Sequence, residues 1–216
     1  MRVKTPASPP YDCPLCPRLA AFRAENRKKH PDWFNAPVPS FGPLDARLAI
    51  AGLAPGLQGA NRTGRPFTGD WAGDLLYATL LKLKLAKGVY EERNDDTLEL
   101  VDCRIVNSVR CVPPQNKPEP SEIRTCRQFL IGELETLPNV TTILALGKIA
   151  HDSVLKTLDA RIAAHPFKHG AVYKIGKFTL ISSYHCSRYN TNTGVLTTQM
   201  FEDMVGKAKA LAQAGA

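Results

Sequence analysis

Several features are missing from this 216-residue chain, and each absence removes a class of protein. No run of about 18 apolar residues occurs, so no membrane-spanning helix and no membrane partner are expected. The opening MRVKTPASPPYDCPLC lacks the apolar stretch of a signal peptide, and a cytoplasmic location is expected. No G-x-x-x-x-G-K-S/T is present, which excludes a Walker phosphate loop. No G-x-G-x-x-G opens a helix, which excludes the dinucleotide fingerprint. Internal repeats are absent too. Acid is in short supply: 20 Asp+Glu against 28 Lys+Arg leave a net charge of +8, so the surface favours polyanions in a salt-dependent way.

What is present suits an ordinary globular chain. The hydrophobic fraction of 44% supplies enough apolar surface for one core, and the length favours a single domain over 1–216. Residues 1–45 are crowded with proline and read as a wrap laid over that core, with a helix only from Leu19 to about Lys29. From Ala46 the pattern changes. ARLAIAGL, CRIVNSVRC (103–111) and VTTILALG (140–147) read as buried strands, and AVYKIGKFTLISSYH as two strands split by a turn at Gly176-Lys177. Helical patterns follow from Asp70 to Leu85 with Asp70 at the N-cap, from a Ser121 cap through SEIRTCRQFLIGELETL, over KIAHDSVLKTL, and from Thr197 to Ala212. This alternation predicts a three-layer α/β/α sandwich with a central, mostly parallel four-stranded sheet. Ligands of such sheets bind at the carboxyl ends of the strands. The loops after Leu53, around Asn107 and after Tyr184 all lie there.

Six cysteines are present. Cytoplasmic thiols stay reduced, so ligand-like spacing is the feature to weigh. Cys13-x2-Cys16 lies in the wrap, and Cys111 and Cys126 are separated by 14 residues, too far for the paired knuckles of structural zinc. Four such thiolates favour an iron–sulfur cluster. The competing reading makes Cys111 and Cys126 small core residues. Cys103 reads as core. Cys186 follows His185 in extended chain and faces the other way, which argues against a Cys–His nucleophilic pair.

The densest motif is GLAPGLQGANRTGRPFTGD (52–70), whose glycines let backbone approach a ligand closely. Taken by spacing it is a ligand-binding loop of unspecified kind. Together with IVNSVRC (105–111), SYHCSRYNTNTG (183–194) and the four cysteines, it resembles the uracil-DNA glycosylases, and within them the broad-specificity family 5. The resembling blocks span residues 13 to 194.

That resemblance implies a base-excision enzyme that hydrolyses the N-glycosidic bond of uracil, and of other deaminated bases, in DNA. It implies a 4Fe-4S cluster on Cys13, Cys16, Cys111 and Cys126, with DNA as partner and a monomeric state. Phe67 matches the ring on which a flipped base stacks, Asn107 the amide that reads its edge, and His185 the group that hydrogen-bonds O2 of the leaving base. Backbone at Gly52, Leu53 and Ala54 lines the pocket. Other uracil glycosylases carry a water-positioning polar residue where this chain has Ala54, which leaves Asp70 as the acidic candidate and leaves room for larger bases. Asp70 as a plain N-cap, Asn107 as a backbone partner and His185 as a satisfied histidine are the alternatives. Arg62, Arg65 and Arg188, with Arg110, Lys117, Arg124 and Arg127, are expected to meet phosphates. The rival function is a non-catalytic or covalent uracil-DNA binding protein, although no basic insert ending in histidine lies near these motifs.

Overall fold

The computed structural model describes residues 6–215; residues 1–5 of the expected wrap and residue 216 lie outside them. Four short apolar segments make the centre: β1 (Leu48–Gly52), β4 (Cys103–Asn107), β5 (Thr142–Leu146) and β7 (Phe178–Ser183). They pair in parallel in the order β4-β1-β5-β7, and β6 (Val172–Ile175) adds an antiparallel edge beside β7. The sheet therefore has five strands rather than four. The fifth arises because Gly176, at φ +54, turns the chain back at the expected position instead of sending it through a helix.

Parallel strands covered on both faces need apolar side chains on both sides of the pleat, and β1 and β5 are buried throughout. Alternation then sorts the side chains into two cores. Leu48 and Ile50 meet Leu76 and Leu80 of α3 (Trp71–Lys82) and Phe201 and Val205 of α7 (Thr198–Ala214). Ala49 and Ala51 meet Leu130 and Leu134 of α4 (Pro120–Thr136) and Val154 of α5 (Lys148–Thr157).

The N-terminal segment forms α1 (Pro17–Lys29) and is tied down by charge. Arg18 forks onto Glu122 at 2.8 and 2.8 Å, and Leu19 packs with Val109, Cys111, Cys126 and Phe129. The same Glu122 corrects the expected Ser121 cap. Its carboxylate accepts the Glu119 N–H at 2.7 Å, so α4 begins with Glu119 as N-cap and Pro120 in its first turn, and Ser121 sits inside the helix. Asp70 caps α3 as expected, accepting the Gly73 N–H at 3.1 Å.

Three small elements were not legible in the sequence. They are α2 (Ala60–Thr63), α6 (Arg188–Asn192) and a two-stranded hairpin of β2 (Ala86–Lys87) and β3 (Glu99–Leu100). Strand β4 stops at Asn107, four residues before the expected end, because residues 108–111 turn toward the cysteines.

The chain runs from β1 to β4 on one side, then crosses back to β5 on the other. The direction in which successive strands are laid down thus reverses at β1, and the loops leaving β1, β4 and β7 open on a common crevice.

Candidate active site and thiol centre

A cavity of about 420 Å³ occupies that crevice, lined by Leu53, Ala54 and Gly56 after β1, Asn107 at the end of β4, His185 after β7, and Phe67, Asp70 and Trp71 at the start of α3. Six of the predicted substrate-facing positions, Leu53, Ala54, Phe67, Asp70, Asn107 and His185, meet here. Gly52 lies just beneath. A Cβ at Gly52 would stand 2.4 Å from Asn107 Oδ1 and 2.9 Å from Phe67 Cζ, so only glycine lets the amide and the ring sit side by side.

Asn107 is 3% exposed, and its Oδ1 has no hydrogen-bond partner among the described residues. A buried acceptor left unmade costs about 1–3 kcal/mol. An orphan of this kind at a pocket wall is what a site holding a hydrogen-bond donor would show.

Phe67 is buried, yet it lies against the cavity rather than deep in the core. Its ring runs nearly parallel to the His185 imidazole, 5.9 Å between centroids at 27°. Burial lowers the His185 pKa below the ordinary 6.5, and the nearby Asp70 carboxylate opposes that shift. The imidazole is therefore neutral at pH 7, and any chemistry that needs this form is present above the depressed pKa and lost as pH falls through it. An NMR titration is expected to place the His185 midpoint below 6.5, and lower still in Asp70→Asn, which removes the charge favouring imidazolium. A midpoint above 6.5 would contradict this electrostatic account.

Asp70 serves two directions at once. Oδ1 accepts the Gly73 N–H, while Oδ2 points into the glycine-rich loop, where a Cβ at Gly59 would come within 2.2 Å. The cap and an acidic role in the pocket are therefore geometrically compatible.

The arginines divide. Arg188 lies at the mouth, its guanidinium 5.2 Å from the Trp71 ring, and Arg62 is exposed and bonded to backbone carbonyls of Gln58 and Gly69. Lys117 and Arg124 are also exposed. Arg65 is a correction. It is 4% exposed and forks onto Asp96 at 2.7 and 2.7 Å, so its charge is spent inside the protein and does not face a phosphate. Arg110 is likewise internal, bound to Glu133 and Ser40.

Three features of the mouth escaped the sequence. Trp71 donates its indole N–H to Thr191 Oγ1 at 2.9 Å, bridging α3 and α6 across the cavity. Asn116 lines the cavity, and Tyr189 stands 74% exposed beside Arg188. The available signal was a pair of aromatics flanking Asp70 and His185 in otherwise polar loops.

Cys13, Cys16, Cys111 and Cys126 line a second, mostly apolar gap beneath α1. Among the described residues no group of three or more His, Cys, Asp or Glu is placed to hold a single metal ion. Burial pushes the Cys111 thiol up to about 11 and the Cys126 thiol up to about 12. Arg23 faces the same gap. It is 5% exposed, carries no carboxylate partner among the described residues, donates to the Cys13 carbonyl at 3.0 Å and lies 3.5 Å from Cys111 Sγ. The Arg110 N–H points at Cys126 Sγ at 3.4 Å. Four thiols beside an unpaired buried cation and an N–H donor make an environment built for net negative charge. Cys103 and Cys186 are fully buried elsewhere, Cys103 donating to the Leu85 carbonyl and Cys186 to the Ala72 carbonyl.

Residues 39–209 match the family described as the Uracil DNA glycosylase superfamily. The chain is 46% identical to a Type-5 uracil-DNA glycosylase of Thermus thermophilus, over 93% of this chain and 94% of that protein. It is 38% identical to a Type-5 uracil-DNA glycosylase of Pyrobaculum aerophilum, over 92% and 88%, and 40% identical to one of Mycobacterium bovis, over 93% and 78%. The match runs through every strand of the sheet and all three loops that form the cavity, and the chain belongs to the uracil-DNA glycosylase superfamily.

Proposed function

We propose that this chain is a uracil-DNA glycosylase, a hydrolase of the N-glycosidic bond that releases uracil, and other deaminated bases, from DNA. The observation that carries the proposal is the orphaned Asn107 Oδ1 facing a cavity beside the Phe67 ring and a neutral His185.

The target nucleotide leaves the stack at a cost of a few kcal/mol and enters the crevice, where Phe67 offers a face for the base. Asn107 Oδ1 accepts the N3–H of uracil and its Nδ2 donates to O4. As the C1′–N1 bond breaks, its electron pair goes to the base and charge collects on O2. The neutral His185 donates a hydrogen bond to that oxygen, which is stronger with the departing anion than with the intact base. Asp70 lies on the sugar side and supports positive charge at C1′. Water adds there, its oxygen bonds to C1′, and its proton passes by way of Asp70 to solvent. The departing anion takes up a proton from solvent, and the products are free base and an abasic sugar.

With Ala54 in place of a polar side chain, about 420 Å³ of cavity accommodates bases larger than uracil, hypoxanthine and xanthine among them. Arg188 and Arg62 meet flanking phosphates, and exposed Tyr189 fits against the bases left behind by the flipped nucleotide.

Cys13, Cys16, Cys111 and Cys126 are the proposed ligands of a 4Fe-4S cluster, a set of four thiolates being what such a cluster takes. When bound, the cluster would cross-link the segment leading into α1 to residues 108–111 and to α4. Arg23 offsets its negative charge. The protein acts as a cytoplasmic monomer, folded as one domain over 1–216 with DNA as its partner.

The test is incubation with end-labelled DNA carrying one uracil, followed by alkali. Cleavage at the uracil, and none at thymine in the same position, is expected; an uncut strand would overturn the activity.

A further inference from the structure

Phe67 adopts φ +52, a conformation that bulky L residues avoid. Neighbouring structure must hold it there. The hydroxyl of Tyr90, in the loop joining β2 to β3, does so from both sides of the turn. It accepts the Gly69 N–H at 3.2 Å and donates to the Phe67 carbonyl at 3.4 Å.

The bracing extends outward from there. The Tyr90 ring lies 4.7 Å from that of Tyr77, whose hydroxyl donates to the Pro66 carbonyl at 2.6 Å. Arg65 stands among the Phe41, Tyr77 and Tyr90 rings and binds Thr68 Oγ1 at 2.8 Å as well as Asp96. Asp96 in turn accepts the N–H groups of Glu91 and Leu98, which bracket the hairpin loop. Burial works against ionisation of Asp96, but the Arg65 fork and these two N–H groups overcome it and hold the carboxyl down at about 2. The hairpin is thus fastened to residues 65–69 by a permanent ion pair, and Tyr90 is the one group in it that reaches the Phe67 backbone directly.

We infer that Tyr90 is a positioning residue, its hydroxyl setting the height and tilt of the Phe67 ring against the bound base. This rests on the proposed role of Phe67 as the base-stacking ring. Tyr90 touches no reacting atom; its effect passes through the turn.

Tyr90→Phe removes the hydroxyl and keeps the ring. In uracil-DNA kinetics kcat/KM is expected to fall about tenfold, with the melting temperature changed by no more than a few degrees. The same change made in Phe67→Ala is expected to cost less than about twofold, because the ring it positions is gone. An unaltered kcat/KM in Tyr90→Phe would overturn the inference. So would an equal loss in the Phe67→Ala background, or a loss that follows a large drop in melting temperature, since either marks a general structural role. Phe67→Ala alone reports separately on the stacking reading: a silent Phe67→Ala removes that reading itself.

Discussion

His185→Ala is expected to lower kcat/KM on uracil-containing DNA about 10²–10³-fold while leaving DNA affinity nearly intact. The imidazole is kept neutral by burial and lines the cavity beside Phe67, so its N–H is available to an oxygen that becomes anionic only as the bond breaks. An interaction made chiefly in the transition state appears in kcat rather than in KM. Asp70 permits a cleaner separation. Asn caps helices about as well as Asp, so Asp70→Asn retains the bond from Gly73 and removes the charge proposed to act on the sugar. A loss of similar size at unchanged melting temperature assigns Asp70 to the chemistry. Activity near that of the unaltered protein would reduce it to a cap and leave water activation to main-chain groups.

The second large effect is expected at the cysteines. Cys111→Ser should yield protein without bound iron or visible absorption, with Tm lower by roughly 10 °C, as expected from a loss of about 3 kcal/mol. The reason is geometric. The N-terminal segment reaches the body of the protein through Leu19, the Arg18–Glu122 fork and the four-thiol gap. Without the cross-link, Arg23 is a buried cation with no anionic neighbour, and limited proteolysis is expected to cut within residues 13–29 first. Iron retained at four per chain in Cys111→Ser would contradict the ligand assignment. Unchanged protease resistance in iron-free protein would contradict the structural role.

The parts of this arrangement legible in the sequence were those encoded locally. Apolar runs such as LAIAG and TILAL, bounded by turn signals, read as covered strands, and Asp70 before a helical repeat reads as a start signal. Loops at their carboxyl ends converge because a parallel sheet puts them on one edge. What escaped depends on pairings across the chain. Arg65, in a glycine-rich loop, has the sequence context of an exposed cation, and only the return of Asp96, 31 residues later, draws it inside. Arg110 is taken up in the same way by Glu133 from α4. Ser121 has the local form of a cap, but Glu122 bridges Glu119 and distant Arg18 and moves the helix start back. Tyr90 and Arg23 sit in stretches with no motif at all. Their significance lies in which backbone turn or thiol they reach, and neither periodicity nor composition records that.

In the proposed reaction one cavity takes up a flipped base, reads it and releases it by hydrolysis. Hydrolysis is decided by single-turnover reaction of excess protein with DNA carrying one uracil, with the products weighed by mass spectrometry. One free uracil and one abasic strand are expected per DNA consumed, with the oxygen of isotopically labelled water at C1′ of the abasic sugar. Intact uracil-DNA held in a stable complex, or DNA joined covalently to the protein, would contradict hydrolysis and make the chain a binder of damaged DNA.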